Sequence, residues 1–144
     1  MDGRISGKVY GLIRRDQQIL VEGIHETDGT LKAYRPLGGT IEFGEKSEDA
    51  LHREFKEELG AALKVSKLFC VAEEIYEYHG HVGHQVAFIY ECEFTDKGLY
   101  QQDIIERIDT EHGISIKAEW VDPFQLPHDV KLVPDDLLMA LKKK

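Results

Sequence analysis

The sequence is poor in the features that mark secreted, membrane-spanning or nucleic-acid-binding chains. It has only two cysteines, Cys70 and Cys92, with no C-x-x-C spacing. That excludes a disulfide framework and fits a reducing compartment, both cysteines reading as small buried hydrophobes on strands. No run approaches the ~20 apolar residues of a membrane helix, and the opening MDGRISGKVYG carries no apolar signal core. A soluble, cytoplasmic protein without a membrane partner is expected. There is no low-complexity tract and no solenoid repeat, and four prolines stand against thirteen glycines, which argues for an ordered globular chain. Basic residues are scarce, 18 Lys and Arg against 27 Asp and Glu, for a net charge of −9. Such a balance, with no basic stripe, disfavours a nucleic-acid partner, and a small polyanionic substrate would need metal to meet it. At 144 residues and 42% hydrophobic, a single domain over 1–144 is expected, with a homodimer compatible with that reading.

What is there concentrates between Arg35 and Ala61, in RPLGGTIEFGEKSEDALHREFKEELGA. Ser47 before Glu48, Asp49, Ala50 and Leu51 reads as a helix start, a hydroxyl N-cap with two carboxylates in the turn where the macrodipole favours them. Gly60 suits the left-handed position past a helix end, so the spacing predicts a helix over about 47–59. At about 100° per residue, Leu51, Phe55 and Leu59 share a stripe that must be buried. Glu54, Glu57 and Glu58 form a second stripe beside it. Each like-charged pair at i+3 or i+4 costs about 0.2–0.5 kcal/mol, and Glu57 and Glu58 oppose the macrodipole as well.

Carboxylates gathered at such cost imply a cation. Arg53, one turn before Glu57, can pair with it and hold its rotamer, leaving Glu54 and Glu58 with spare lone pairs. Clustered carboxylates with no nearby His or Cys suit Mg²⁺ or Mn²⁺ rather than zinc, and Mg²⁺ held this way completes its shell with water and phosphate. Phosphate chemistry is the expectation. The run EFKEE alone would equally describe a solvated acidic helix face; the spacing from Gly39 to Glu45 and on to Arg53 favours the metal site.

Elsewhere, Ile5 to Arg14 and Ile19 to Gly23 read as strands of a hairpin turning at Asp16-Gln17-Gln18. A loop spans His25 to Thr30 and a short strand Lys32 to Pro36. Gly38-Gly39 is expected to make a turn closed to other residues. Leu63 to Tyr78 and Gln85 to Phe94 read as strands joined by the loop His79-Gly80-His81-Val82-Gly83-His84. The three histidines invite a zinc reading, but a flexible tip lacks the closed geometry of zinc sites, so a polar turn is preferred. Thr95 to Tyr100 reads as a loop. Asp103 to Asp109 and Ile114 to Val121 are read as a hairpin rather than a helix across Gln101 to Ile108. A C-terminal helix is predicted over about 134–143, opened by Pro134 and ending in Lys142 to Lys144.

The pattern G-x5-E-x7-R-E-U-x-E-E-x-G-U, with U a bulky aliphatic, is matched from Gly39 to Ala61 at every Gly, Glu and Arg, with Phe55 and Ala61 at the two U positions. On these residues the chain resembles the Nudix family. Trp120-Val121-Asp122-Pro123-Phe124-Gln125-Leu126 resembles a second landmark of that family. The resemblance implies an α/β fold, the Nudix-type α/β/α sandwich with a mixed central sheet, over nearly the whole chain. It implies metal-dependent hydrolysis of a phosphoanhydride in a nucleoside diphosphate linked to another moiety, with Mg²⁺ or Mn²⁺ on Glu54, Glu57 and Glu58. By the same resemblance a carbonyl of Gly38 or Gly39 is a further metal ligand, Glu45 is structural or outer-sphere, and Glu54 is the first candidate for the base. Arg53 joins Glu54 and Glu57 in the expected catalytic set. Glu106, Asp109, Glu111 and Glu119 are alternative bases.

The substrate side is sparser. Arg35 is a candidate phosphate contact. Tyr76 and Tyr78 bracket the place where dinucleoside polyphosphate hydrolases carry a tyrosine, and no proline falls between Pro36 and Pro123, which weakens an ADP-ribose assignment. Oxidised nucleoside triphosphates and nucleotide sugars stay open. The competing function is a Nudix-fold module that binds a nucleotide without cleaving it, and the intact set of glutamates favours the enzyme.

Overall fold

The computed structural model describes residues 3–143; Met1, Asp2 and Lys144, the last expected at the end of the C-terminal helix, lie outside them. In chain order the elements are β1 (Ile5–Leu12), β2 (Arg14–Arg15), β3 (Gln18–His25), β4 (Leu31–Arg35), β5 (Gly38–Thr40), α1 (Ser47–Leu59), β6 (Leu63–Tyr78), β7 (His81–Phe94), a 3₁₀ turn over Lys97–Gln101, β8 (Ile104–Ile108), β9 (Ser115–Val121), β10 (Lys131–Leu132) and α2 (Asp135–Lys142). They form the expected α/β/α sandwich, with its central layer built from two mixed sheets. One has the order β5-β1-β7-β6, and the other runs β10-β4-β3-β9-β8 with β2 attached to β3.

The expected hairpin forms only at its turn, where Arg14 and Arg15 pair antiparallel with Ile19 and Gln18, and β1 itself does not pair with β3. Val9, Tyr10 and Leu12 are all buried, the signature of a strand covered on both faces. Such a strand needs neighbours on both edges, and β1 takes β5 antiparallel and β7 parallel. The chain changes sheets at Ile13, so only Arg14 and Arg15 fold back on β3. Gly38 and Gly39 likewise form strand rather than turn, paired with Tyr10 and Val9. The β6–β7 turn is shorter than expected. His79 and Gly80, at φ 52° and 80°, make it alone, as a two-residue turn with both residues left-handed does. His81 and His84 lie on β7, three residues apart and therefore on opposite faces.

The helix α1 buries Leu51, Phe55 and Leu59, and the Phe55 ring meets Phe94 edge-on at 6.2 Å. Gly60 sits at φ 64° and donates its N–H to the Lys56 carbonyl, while the Ala61 N–H bonds back to Phe55, which satisfies carbonyls the helix end would leave open. The N-terminus differs from expectation: Lys46 holds the cap position without a side-chain bond. The Ser47 hydroxyl is instead 2.6 Å from the Tyr90 hydroxyl on β7, tying the helix start to the sheet. Ser47→Ala and Tyr90→Phe are each expected to cost about 1 kcal/mol in urea unfolding. The double variant should cost little more than either alone, and fully additive losses would rule out the coupling.

Two cores flank the first sheet. One packs α1 against Val9, Leu20, Phe94 and Trp120, and the other packs α2 through Leu137 and Leu141 against Tyr10, Leu12, Val21 and Ile89. The acidic face of α1 is thereby held against β1 and β5.

Candidate active site

The apolar stripe of α1 fixes the rotation of the helix, and the rotation presents the acidic stripe to the double glycine. A side chain at Gly39 would fall on the Glu54 carboxylate, and one at Gly38 would run into the Val9 carbonyl. Only glycine therefore lets this backbone lie against both the neighbouring strand and Glu54. Glu58 is buried at 9% exposure, and its Oε1 has no hydrogen-bond partner among the described residues. A buried oxygen left unsatisfied costs about 1–3 kcal/mol, more when charged.

Arg53 organises the rest. Its Nε and Nη2 bond Glu45 at 2.8 and 3.0 Å. Nη2 also donates to the Thr40 carbonyl at 3.0 Å, and Nη1 donates to Glu54 at 3.0 Å and to Glu57 at 3.3 Å. A guanidinium has five N–H donors in a rigid fork, and all are engaged here. The fork ties the loop before the helix to two carboxylates on it. Its bond to Glu45 holds that carboxyl below its ordinary range and raises the Arg53 pKa in return.

The other carboxylates shift the opposite way. Burial, then the charges of Glu22, Glu54 and Asp109, raise the Glu58 pKa to about 9. Burial raises Glu54 too, with Arg53 opposing. The loop after β8 closes on the same end of the helix: Thr110 N–H bonds the Glu57 carbonyl at 2.9 Å. Within that loop Asp109 is 3% exposed. Burial would raise its pKa, but N–H groups of His112 and Glu111 at 2.8 and 2.7 Å prevail and lower it. Of the four alternative bases it is the one buried near Glu54 and Glu58. Glu106 and Glu111 are exposed, and Glu119 accepts from the Tyr34 hydroxyl at 3.0 Å.

Arg35 and Glu22 face each other across β3 and β4, with Nη2 at 3.4 Å from Oε1. The guanidinium lies 5.7 Å from the Tyr10 ring centre and within the field of Glu58, and its Nε is buried with no hydrogen-bond partner among the described residues. Lys8 on β1 donates to the Thr40 hydroxyl at 2.7 Å. Burial and Arg35 lower its pKa, while Glu54 raises it. Tyr76 and Tyr78 lie apart from this group. Their partners are Gly83 and His81, in the part of the hairpin that extends past the first β1 pair, Ile5 with His84. Tyr78 contacts His79 and Lys32.

A cleft of about 240 Å³ between Tyr34, Lys117 and Glu119 reaches Glu22. A larger one of about 450 Å³, lined by Arg14, Lys64, Glu93, Lys97 and Tyr100, lies away from the acidic stripe. Its charges are largely paired, Arg14 with Glu91 at 2.7 Å and Lys97 with Glu93 at 3.6 Å. Volume alone therefore does not mark the reactive place. Lys8, Glu22 and the burial of Asp109 were missed from sequence. A charged residue interrupting an apolar strand, as in VYGL preceded by Lys8 or ILV followed by Glu22, is the signal that could have found the first two.

A family model described as NUDIX domain matches residues 7–141. Among solved structures, a MutT NUDIX hydrolase from Burkholderia pseudomallei is similar at 25% identity and a TM-score of 0.67, over 96% of this chain and 97% of that one. A UDP-X diphosphatase is similar in fold at 17% identity and TM-score 0.65, over 99% of this chain and 64% of its own. An ADP-ribose pyrophosphatase from Streptococcus suis is similar in fold at 13% identity and TM-score 0.58, over 96% and 90%. Among curated proteins no match was found.

Proposed function

Because the chain belongs to the Nudix family and is a Nudix hydrolase, we propose that it hydrolyses a phosphoanhydride bond in a nucleoside diphosphate linked to another moiety, with Mg²⁺ or Mn²⁺ held on α1. The observation that carries the reading is the Glu54 carboxylate lying against the Gly39 backbone on a helix that also carries Glu57 and Glu58, with one buried oxygen of Glu58 without a hydrogen-bond partner among the described residues. The names of the similar structures, a UDP-X diphosphatase and an ADP-ribose pyrophosphatase, share a nucleoside diphosphate.

The residues fit a hard divalent cation. Among the described residues no three His, Cys, Asp or Glu side chains converge as a finished cage, and the Arg53 guanidinium bridges Glu54 and Glu57. The donors are nevertheless all oxygens, as Mg²⁺ and Mn²⁺ prefer, and such an ion would satisfy the open Glu58 oxygen. Glu54, Glu57, Glu58 and a carbonyl of Gly38 or Gly39 would hold it. When bound, the cation would neutralise phosphate charge and acidify a water. Glu54, fixed by Arg53 and pressed on Gly39, is placed to accept a proton from the attacking water. Asp109 faces the same helix end and is the second candidate. Glu45 acts through Arg53, holding the fork that orients Glu54 and Glu57. Arg35 is a candidate phosphate contact, and Tyr76 and Tyr78 would reach only a substrate that extends along the hairpin.

A panel of nucleoside diphosphate conjugates, dinucleoside polyphosphates and nucleoside triphosphates, assayed with Mg²⁺ or Mn²⁺ and followed by product identification, tests this reading. Turnover of at least one class, abolished by chelator, is expected. Tight binding of a nucleotide with no turnover of any would overturn it in favour of a binding module.

A further inference from the structure

The phosphates of any such substrate need cations supplied by the protein, and the cations near the acidic stripe are not equally available. Arg53 has every N–H committed, to Glu45, Glu54, Glu57 and the Thr40 carbonyl. Arg35 spends one nitrogen on Glu22 and is stacked over Tyr10, so its fork is partly held.

Lys8 stands differently. It is the β1 residue directly opposite Thr40 across the β1–β5 pair, one position from Gly39 and the Glu54 carboxylate. Its Nζ bonds the Thr40 hydroxyl at 2.7 Å, the one hydrogen bond it makes among the described residues. An ammonium has three N–H donors, so two remain to be satisfied. Burial strips water from the group, while Arg35 and Glu54 both lie within its electrostatic reach. A flexible lysine on a surface would keep its hydration and its rotamer freedom. This one is anchored on Thr40 and half-buried, with Glu54 and Arg35 both within its field.

We propose that Lys8, held in place by Thr40, is a direct contact to the substrate's diphosphate and sets the affinity of this site for that anion. It rests on the reading of the site as one for nucleoside diphosphates. Two N–H groups on a fixed, partly dehydrated ammonium match two phosphate oxygens. The contact supplies a positive charge with uncommitted N–H groups, which Arg53 lacks, in a chain of net charge −9.

The test uses the full chain with Mg²⁺, the best substrate of the panel, and α,β-methylene ADP as a non-hydrolysable probe followed by calorimetry. Lys8→Met keeps the stem and removes the charge. It should raise KM and the probe's Kd by about tenfold or more, the worth of one charge-assisted contact, with a smaller change in kcat. Lys8→Arg should restore most of the loss. Thr40→Val, which frees the ammonium without removing it, should raise KM by about threefold and leave kcat in place. A change in KM and Kd below about threefold for Lys8→Met, in a variant that melts like the parent, overturns the proposal. If the parent binds the probe through Lys8 but turns over nothing, the contact stands and the hydrolase reading falls. If turnover is normal and indifferent to Lys8, the contact falls and the hydrolase reading stands. Failure of the parent to bind the probe or turn over any substrate overturns both.

Discussion

Glu57→Gln is expected to lower metal-dependent turnover roughly a thousandfold, about 4 kcal/mol of transition-state stabilisation, while leaving the protein folded. The substitution keeps the shape and one carbonyl oxygen to accept from Arg53 Nη1, which now spans Glu54 and Glu57 at 3.0 and 3.3 Å. It removes the negative charge on which a divalent cation depends. The clamp on the loop survives, because Arg53 holds Glu45 through two bonds of 2.8 and 3.0 Å that do not involve Glu57, and the Thr110 bond uses the Glu57 backbone. Melting temperature within a few degrees of the parent and a collapse of kcat/KM are the paired result. A rate like that of the parent at saturating Mg²⁺ would remove Glu57 from the site. A collapse that excess metal repairs would assign it to metal affinity rather than to the chemical step.

What could be read in advance followed from how local each feature is. The helix limits, its buried stripe and the acidic stripe all depend on residues within a turn or two of one another, and the left-handed Gly60 closes the helix where its position indicated. The hairpin of β8 and β9 followed from alternation that the helical alternative could not match on burial, since Ile105 is buried while Ile104 and Ile108 are exposed. Distant contacts were illegible. Nothing near Ser47 in the chain indicates Tyr90, 43 residues on, as the better partner for its hydroxyl than the helix's own N–H groups. Nor does anything near β1 say that its neighbours are β5 and β7. Lys8 became visible only when pairing set it opposite Thr40. Arg53 shows both cases at once. Its bond to Glu57 follows from helical spacing, whereas its stronger engagement with Glu45 crosses a loop whose shape the spacing alone does not determine.

Glu58→Gln carries the other large effect, and its two consequences have opposite signs. The Glu58 carboxyl is buried, one oxygen has no hydrogen-bond partner among the described residues, and the charges of Glu22, Glu54 and Asp109 act on it, so its pKa is pushed up from the ordinary 4.5 to about 9. A carboxyl raised on folding binds its proton more tightly in the folded chain than in the unfolded one. In the absence of divalent metal the contribution of Glu58 to stability is therefore greatest below the unfolded value and declines as pH rises from about 4.5 to about 9. Glutamine is neutral throughout and donates a hydrogen bond to the neighbouring carboxylates. In chelator at about pH 8, Glu58→Gln should therefore be more stable than the parent by on the order of 2 kcal/mol, with a flatter dependence of Tm on pH across that window. Below about pH 4.5, where the carboxyl is protonated in the unfolded chain as well as the folded one, the two should converge. With Mg²⁺ the order reverses, because the cation stabilises only the chain that can offer it this carboxylate, by an amount that grows with its concentration over Kd. Turnover of the variant should fall by roughly a hundredfold or more. Thermal melts in chelator and in Mg²⁺, at three pH values, separate the outcomes. A variant less stable than the parent in chelator at about pH 8 would show that Glu58 is not the strained carboxylate of the helix, and an equal gain from Mg²⁺ in both chains would show that the cation does not bind there.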